Sequence, residues 1–333
     1  MRHIASAAAV LTLFCEATCS AADEAPLATQ TPDAAISRGL EFLAKDAVAW
    51  RDEHHCASCH HASLVVLAMR ESKRAGHKVD EPLLAELAKW VAESGDGKTG
   101  VPRPEGIPKA FNEKAVHFAM ALAADPEPDD SAKAGMKRML GTIVADQLEN
   151  GSWASWPETR HPIFGHSDER ATAQAVWALN SALRLGQDAE LQSARDRGLA
   201  WLELNNSDVE LQSAALRVLL WRQLNRPADR WQPLAERIVA RQAADGGWSQ
   251  NGDMASDAWA TGQALYALAG WDVAAAAIQR GRAFLAATQR QDGSWPMTSR
   301  PTKPGDKGAT SLIPITGAGS AWAVAGLAKS GSP

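Results

Sequence analysis

Three segments of this chain share one spacing: 147-QLENGSW-153, 242-QAADGGW-248 and 289-QRQDGSW-295 each read Gln-x-x-x-Gly-x-Trp. A spacing that recurs outside low complexity marks a repeat architecture, in which each unit buries its apolar face only against its neighbours. In each copy a helical pattern precedes the Gln, and a second, Ala-rich one follows the Trp after a loop. The repeating unit is therefore a helical hairpin.

Apolar spacing at i, i+3 and i+4 extends this to six pairs. It predicts first helices over 33–45, 80–94, 130–147, 190–204, 230–242 and 274–289, and second helices over 62–75, 111–124, 170–185, 208–224, 257–270 and 317–329. Thr31 followed by Pro32, Asp129 or Asp130, and Asp257 read as helix starts. The second helices, such as 171-ATAQAVWALNSAL-183, carry small residues on nearly every face and are expected to be buried on both sides. The first helices keep a charged face and form an outer layer. Six outer and six inner helices in alternation predict an all-α fold, an α/α toroid. An open superhelix of hairpins is the alternative, and the lack of a polar terminal repeat favours closure.

The Gln-x-x-x-Gly-x-Trp segments resemble the QW motifs of squalene and oxidosqualene cyclases, and the mature chain resembles one toroid of the terpenoid cyclase and protein prenyltransferase superfamily. In such a motif the Gln is expected to cap carbonyls at the outer-helix C-terminus while its amide stacks on the indole, and the Gly permits the turn. Cyclases of this superfamily carry Asp-x-Asp-Asp-Thr-Ala, whose middle Asp donates a proton to an alkene. The nearest match is 168-DERATA-173: Asp168, Thr172 and Ala173 fit, but Arg170 stands at the donor position and Ala171 at the last Asp. A guanidinium is no acid, so proton-initiated cyclisation is disfavoured. The prenyltransferase zinc site needs a Cys and a His in the second half of the toroid, where this sequence has neither. Asp168 and Asp257 remain as candidate acids at the ring mouth, though each precedes or opens a helix, where a carboxylate caps free N–H groups.

Arg2 and His3, an apolar run from Ile4 to Phe14 and then Ser20-Ala21-Ala22 read as a cleaved signal peptide over 1–22. The expected organisation is thus a leader followed by a single toroid over 23–333, exported or periplasmic, with no transmembrane segment. Cys15 and Cys19 fall inside the leader, so the mature chain keeps Cys56 and Cys59. With 34 basic residues against 39 acidic and no basic block, nothing points to nucleic acid or an anionic membrane.

Those two cysteines lie in 53-EHHCASCHH-61, which also holds four of the nine histidines. Cys-x-x-Cys-His is the attachment pattern of c-type haem: two thiols form thioethers to the vinyl groups, and the next His becomes the proximal iron ligand. Cys56, Cys59 and His60 meet it, in the predicted first outer-to-inner loop (46–61). The competitors are zinc held by Cys56, Cys59, His60 and either His55 or His61, and a disulfide or free thiols. His61 and Met69 cannot reach the opposite face of an iron bound to His60. In a ring every outer-to-inner loop emerges at one rim, so sixth-ligand candidates are His161, His166, Met254 and Met297 in the long loops 148–169, 243–256 and 290–316, and His117 and Met120 on a neighbouring inner helix.

The function expected is an exported c-type haem protein on a squalene-cyclase-like toroid, acting in electron transfer or as a haem oxidoreductase, with a redox protein or a small apolar ligand in the ring as partner. Its alternatives are a terpenoid cyclase- or transferase-like enzyme, and a non-catalytic binding toroid with zinc at the Cys/His cluster.

Overall fold

Capping chemistry starts the helices where the sequence predicts. Thr31 Oγ1 accepts from the Ala34 N–H (3.2 Å), Asp129 from Ala132 (2.7 Å) and Asp257 from Ala260 (2.9 Å), each satisfying a donor that the first turn leaves open. The computed structural model describes residues 30–55, 57–94, 113–155, 160–163, 167–205, 210–301, 305–306, 308–309 and 311–331, with Cys59 through its backbone. The expected leader, Cys56 and His166 lie outside the described residues.

Among these residues the chain forms twelve α-helices: α1 (Pro32–His54), α2 (Leu64–Arg74), α3 (Glu81–Ser94), α4 (Glu113–Ala123), α5 (Asp130–Ala145), α6 (Asp168–Leu183), α7 (Ala189–Leu204), α8 (Leu211–Gln223), α9 (Ala228–Ala240), α10 (Ala258–Leu268), α11 (Ala275–Thr288) and α12 (Ile313–Gly331). The even-numbered helices form the inner ring. In α6 every residue from Glu169 to Leu183 is buried, and α10 is buried along its whole length. The odd-numbered helices form the outer ring and bury one stripe each. In α1 that stripe is Ile36, Leu40, Leu43 and Ala47, at spacings of three and four. Closure comes from α12, which packs against α10 on one side and against α1 and α2 on the other.

The three Gln-x-x-x-Gly-x-Trp segments are joints between neighbouring outer helices, and their chemistry differs from the expected capping. Each Gln amide donates to its own loop and to the next outer helix: Gln147 to Gly151 O and Ala194 O (2.9 Å each), Gln242 to Gly246 O (2.7 Å) and Ala277 O (2.8 Å), Gln289 to Gly293 O (2.8 Å) and Ala35 O (3.0 Å). The indole, not the Gln, meets the carbonyls left open at the outer-helix end. Trp153 Nε1 donates to Ile143 O (2.7 Å), Trp248 to Ile238 O (2.6 Å) and Trp295 to Leu285 O (2.7 Å). A glycine of the following outer helix lies under each indole. A Cβ on Gly198 would stand 2.8 Å from Trp153, one on Gly281 2.7 Å from Trp248 and one on Gly39 2.9 Å from Trp295. The last joint runs from α11 to α1, so the contact that links internal repeats also closes the ring.

One predicted boundary is corrected. The first outer helix runs to His54 rather than residue 45, because Ala47 continues its buried stripe and Trp50 packs on His61. It ends at His55, whose φ of 50° and ψ of 24° place it in the left-handed region. Much of the predicted loop 46–61 is thus helical, in α1 to His54 and again from Cys59, where Cys59–Ser63 forms a π-helical turn that leads into α2. Cys59 and His60 therefore stand at the entry to the inner ring. No helix among the described residues is long and apolar enough to cross a membrane.

Candidate functional site

The face that each inner helix turns to the ring axis can be read from a cavity of about 490 Å³ at the mouth where these helices end. It is lined by Met120 of α4, Trp177 and Ser181 of α6, Tyr266 of α10 and Lys329 of α12. Helical spacing carries the same stripes towards the other mouth. Met120 is preceded by His117 and Glu113, Trp177 by Gln174 and Arg170, Tyr266 by Gln263 and Trp259, and Lys329 by Trp322. Around Gln223, also on the cavity wall, α8 repeats the pattern back to Gln212. Aromatic rings from three inner helices cluster along these stripes: Tyr266 stands 6.2 Å from Trp177 and 5.6 Å from Trp322, which stands 6.1 Å from Trp259.

Beyond that cluster, where the inner helices begin, the stripe is polar although buried. Arg170 is fully buried; it pairs with Glu113 and donates to Gln174 Oε1 (3.1 Å) and Ile163 O (3.2 Å). Gln174 Nε2 in turn donates to His117 Nε2 (3.0 Å), whose Nδ1–H donates to Glu113 O (2.8 Å). Burial, with Arg170 nearby, holds His117 neutral and lowers its pKa to about 4. Glu169 and Arg217 form a second buried pair at 2.8 Å. A third group descends from the long loops: Arg300 Nε donates to Gln250 Oε1 (2.7 Å), and Gln250 Nε2 to Asp257 Oδ2 (2.7 Å). Burial lowers the Arg300 pKa to about 10 against the pull of Glu210, Asp257 and Glu113, and raises that of Asp257 to about 6. Several buried atoms here have no hydrogen-bond partner among the described residues: both amide atoms of Gln263, Gln212 Oε1, Arg300 Nη1, and the indole nitrogens of Trp259 and Trp322. Buried amides and indoles are costly when unsatisfied.

The Cys/His segment opens onto the same mouth. Ser58 Oγ accepts from His61 N (3.0 Å) and lies 3.1 Å from His60 Nδ1, which also touches His61 Nδ1. Trp50 is sandwiched between His54 (centroids 3.7 Å apart) and His61 (4.2 Å), with His60 edge-on at 5.0 Å. His61 is fully buried, its Nε2 3.1 Å from Asp46 Oδ2. Burial holds the His60 pKa well below the ordinary value, with His61, His161 and His117 close enough to add to the effect.

Of the sixth-ligand candidates, His161 and His117 thus share the neighbourhood of His60, though both ring nitrogens of His117 are hydrogen-bonded. Met120 lies at the opposite mouth, Met297 is packed against Gly319, and Met254 sits in the loop before α10. Among the described residues no three His, Cys, Asp or Glu side chains converge to hold a metal ion, so a zinc site would depend on the cysteines. Asp168 is exposed and accepts from the Ser155 N–H (2.7 Å), tying a loop to the start of α6. Both oxygens of Asp257 are engaged, by Ala260 N and Gln250. Sequence reasoning missed Glu113, Gln174 and Arg300. A charged or amide residue at an axis-facing position of an Ala-rich helix was the available signal for the first two.

No family model matches the sequence, and no curated protein matches it. Among solved structures the chain is similar to a protein from Actinoplanes (TM-score 0.59, 15% identity, covering 90% of this chain and 99% of that one). It is also similar to the type II terpene cyclase MstE from Scytonema in complex with its substrate geranylgeranyl dihydroxybenzoate (0.53, 15%, 90% and 98%). A third is a glycosidase in complex with glucose (0.56, 14%, 88% and 98%). At these identities the likeness is one of architecture. The chain has an all-α, terpenoid-cyclase-like α/α-toroid fold, on which unrelated chemistries are known to be built.

Proposed function

We propose that this protein takes a small amphipathic organic molecule into the ring from the mouth where the inner helices begin. The observation that carries this is the combination, on the axis-facing stripes, of the Trp259 and Trp322 indoles with buried polar atoms of Gln263, Gln212 and Arg300 that have no hydrogen-bond partner among the described residues. The aromatic surface suits an apolar or ring-shaped body, and the amides and guanidinium suit a hydroxylated or anionic head. Ligands named in the related structures, a prenylated dihydroxybenzoate and glucose, span that range. Proton-initiated cyclisation is not part of the reading, because Arg170 stands where the acid would be and is neutralised by Glu113.

The test is thermal melting of the full chain with geranylgeranyl diphosphate, squalene and glucose oligomers. A binder at a hundred times its Kd should stabilise the protein by about 2.7 kcal/mol. The Gln263→Ala, Gln212→Ala double variant should lose the shift. Absence of any shift, with no small molecule retained in native mass spectrometry, would sink the proposal.

A second reading is favoured by one observation: His60 stands at that same mouth, next to the cysteine backbone at residue 59, with His161 and His117 in its neighbourhood. Cys56, Cys59 and His60 would hold a covalent haem c, supplying redox chemistry at the rim in an exported protein, as the leader over 1–22 suggests. Zinc on the same cysteines is the competing occupant, with Asp46 behind His61. A visible spectrum after expression with haem c maturation factors, repeated after acid–acetone extraction, decides. Haem that stays on the chain supports the first. Absent haem with one equivalent of zinc supports the second, and neither would dismiss both.

A further inference from the structure

The cavity at the opposite mouth, where the inner helices end, has Trp177 and Tyr266 in its lining, and Trp322 packs on Tyr266 behind them. Its apolar lining includes Leu67, Met120, Trp177 and Leu185. Its charged lining is Arg74, Arg184 and Lys329 against a single carboxylate, Glu71. That carboxylate is buried and engaged by the Tyr266 hydroxyl (2.9 Å) and by Arg74, and Lys329 Nζ forms only a longer ion pair with it, at 3.9 Å.

Helix C-termini attract cations, so some basic residues are expected at this mouth simply to serve the open carbonyls there. At the ends of α4, α10 and α12 those carbonyls are met by groups other than Lys329 and Arg184. Arg70 donates to Leu122 O (3.2 Å), Arg74 to Ala124 O (2.8 Å), Arg222 to Ala267 O (3.0 Å) and Ala269 O (2.8 Å), and Arg282 to Leu327 O. Lys329 instead stands over the Tyr266 ring, 4.3 Å from its centroid, with burial lowering its pKa. Arg184 is exposed at the cavity edge and adds to the positive field on Lys329 and Tyr266.

We infer that this cavity is a second binding site, for a small organic anion whose apolar or aromatic body rests on Trp177 and Tyr266 and whose carboxylate meets Lys329 and Arg184. Its volume of about 490 Å³ lies within the usual range for small-molecule sites. The site does not depend on what the other mouth binds.

Three compounds with one body and different charge test it by titration calorimetry on the full chain: 2-naphthoate, 2-naphthol and 2-naphthylmethylammonium. Naphthoate should bind about tenfold more tightly than the neutral compound, the difference expected of one charge-assisted contact, and the ammonium compound should bind least. Lys329→Gln should remove that preference, and Arg184→Gln, at an exposed position that leaves folding intact, should weaken naphthoate by about threefold. The Gln263→Ala variant, towards the opposite end of α10, should bind naphthoate as the wild type does. Equal binding of all three compounds, binding of none, or a charge preference unchanged in Arg184→Gln and in folded Lys329→Gln would overturn the inference.

Discussion

His117 and Asp257 are both buried at the polar mouth, and both ionise far from their ordinary pH, in opposite senses. His117 falls from 6.5 to about 4, so its neutral form stabilises the fold above the unfolded value and that contribution is lost as pH falls from 6.5 towards 4. Asp257 rises from 3.8 to about 6, so its contribution is present below 3.8 and is lost as pH rises towards 6. Each is worth roughly 3 kcal/mol on a scale of 1.36 kcal/mol per pKa unit. The two should nearly cancel between pH 4 and 6, and single variants should separate them. By urea unfolding, the stability of wild type relative to His117→Gln should shrink on acidification, and relative to Asp257→Asn should shrink as pH rises. A difference that ignores pH in either variant would refute the assigned ionisation. At this scale the sequence was only partly legible. Arg170 was readable as a missing acid, but its partner Glu113 lies 57 positions away, and that pairing depends on how two inner helices are rotated about their axes.

The outer-helix joints were the most legible elements, because Gln, Gly and Trp occur at fixed spacing within one loop. Their glycine partners, Gly39, Gly198 and Gly281, were not, since each sits on the next outer helix, where an isolated glycine looks like any other small residue. The end of α1 was missed for a similar reason: Trp50, stacked on His54, gains its meaning only when its ring also stacks on His61 of the facing element. The joint between α11 and α1 bears on ring closure, so it invites a direct test. Trp295→Phe removes the indole N–H from Leu285 O and leaves a buried carbonyl without its donor, which should cost about 1–3 kcal/mol. Trp153→Phe should cost a similar amount, because its bond to Ile143 O is equivalent. Hydrogen exchange would tell them apart: amides of α1 and α11 should exchange faster in the first variant, and those of α5 and α7 in the second. Uniform acceleration in both would contradict independent joints.

Six hairpins were enough to predict a ring, and the structure adds how the ring is sealed, by α12 against α1 and α2. A closed ring and an open stack respond differently to loss of a terminal unit. In an open array the remaining repeats keep most of their contacts, whereas here removal of α12 uncovers α1, α2 and α10 together. A chain ending at residue 312 should therefore lose its cooperative thermal transition and its near-ultraviolet circular dichroism. Survival of a sharp transition within a few degrees of the full chain would show that closure contributes little.

The two ends of the described chain meet at a single guanidinium: Arg282 lies 3.8 Å from Asp33 near the start of α1 and donates to Leu327 O and to Ser330 Oγ (3.2 Å) near the end of α12. Where the polypeptide begins is thus almost arbitrary with respect to the architecture. A short peptide joining residue 331 to residue 30, with new termini cut between α8 and α9, should give a circular permutant with the same fold, and only the order of synthesis would distinguish it.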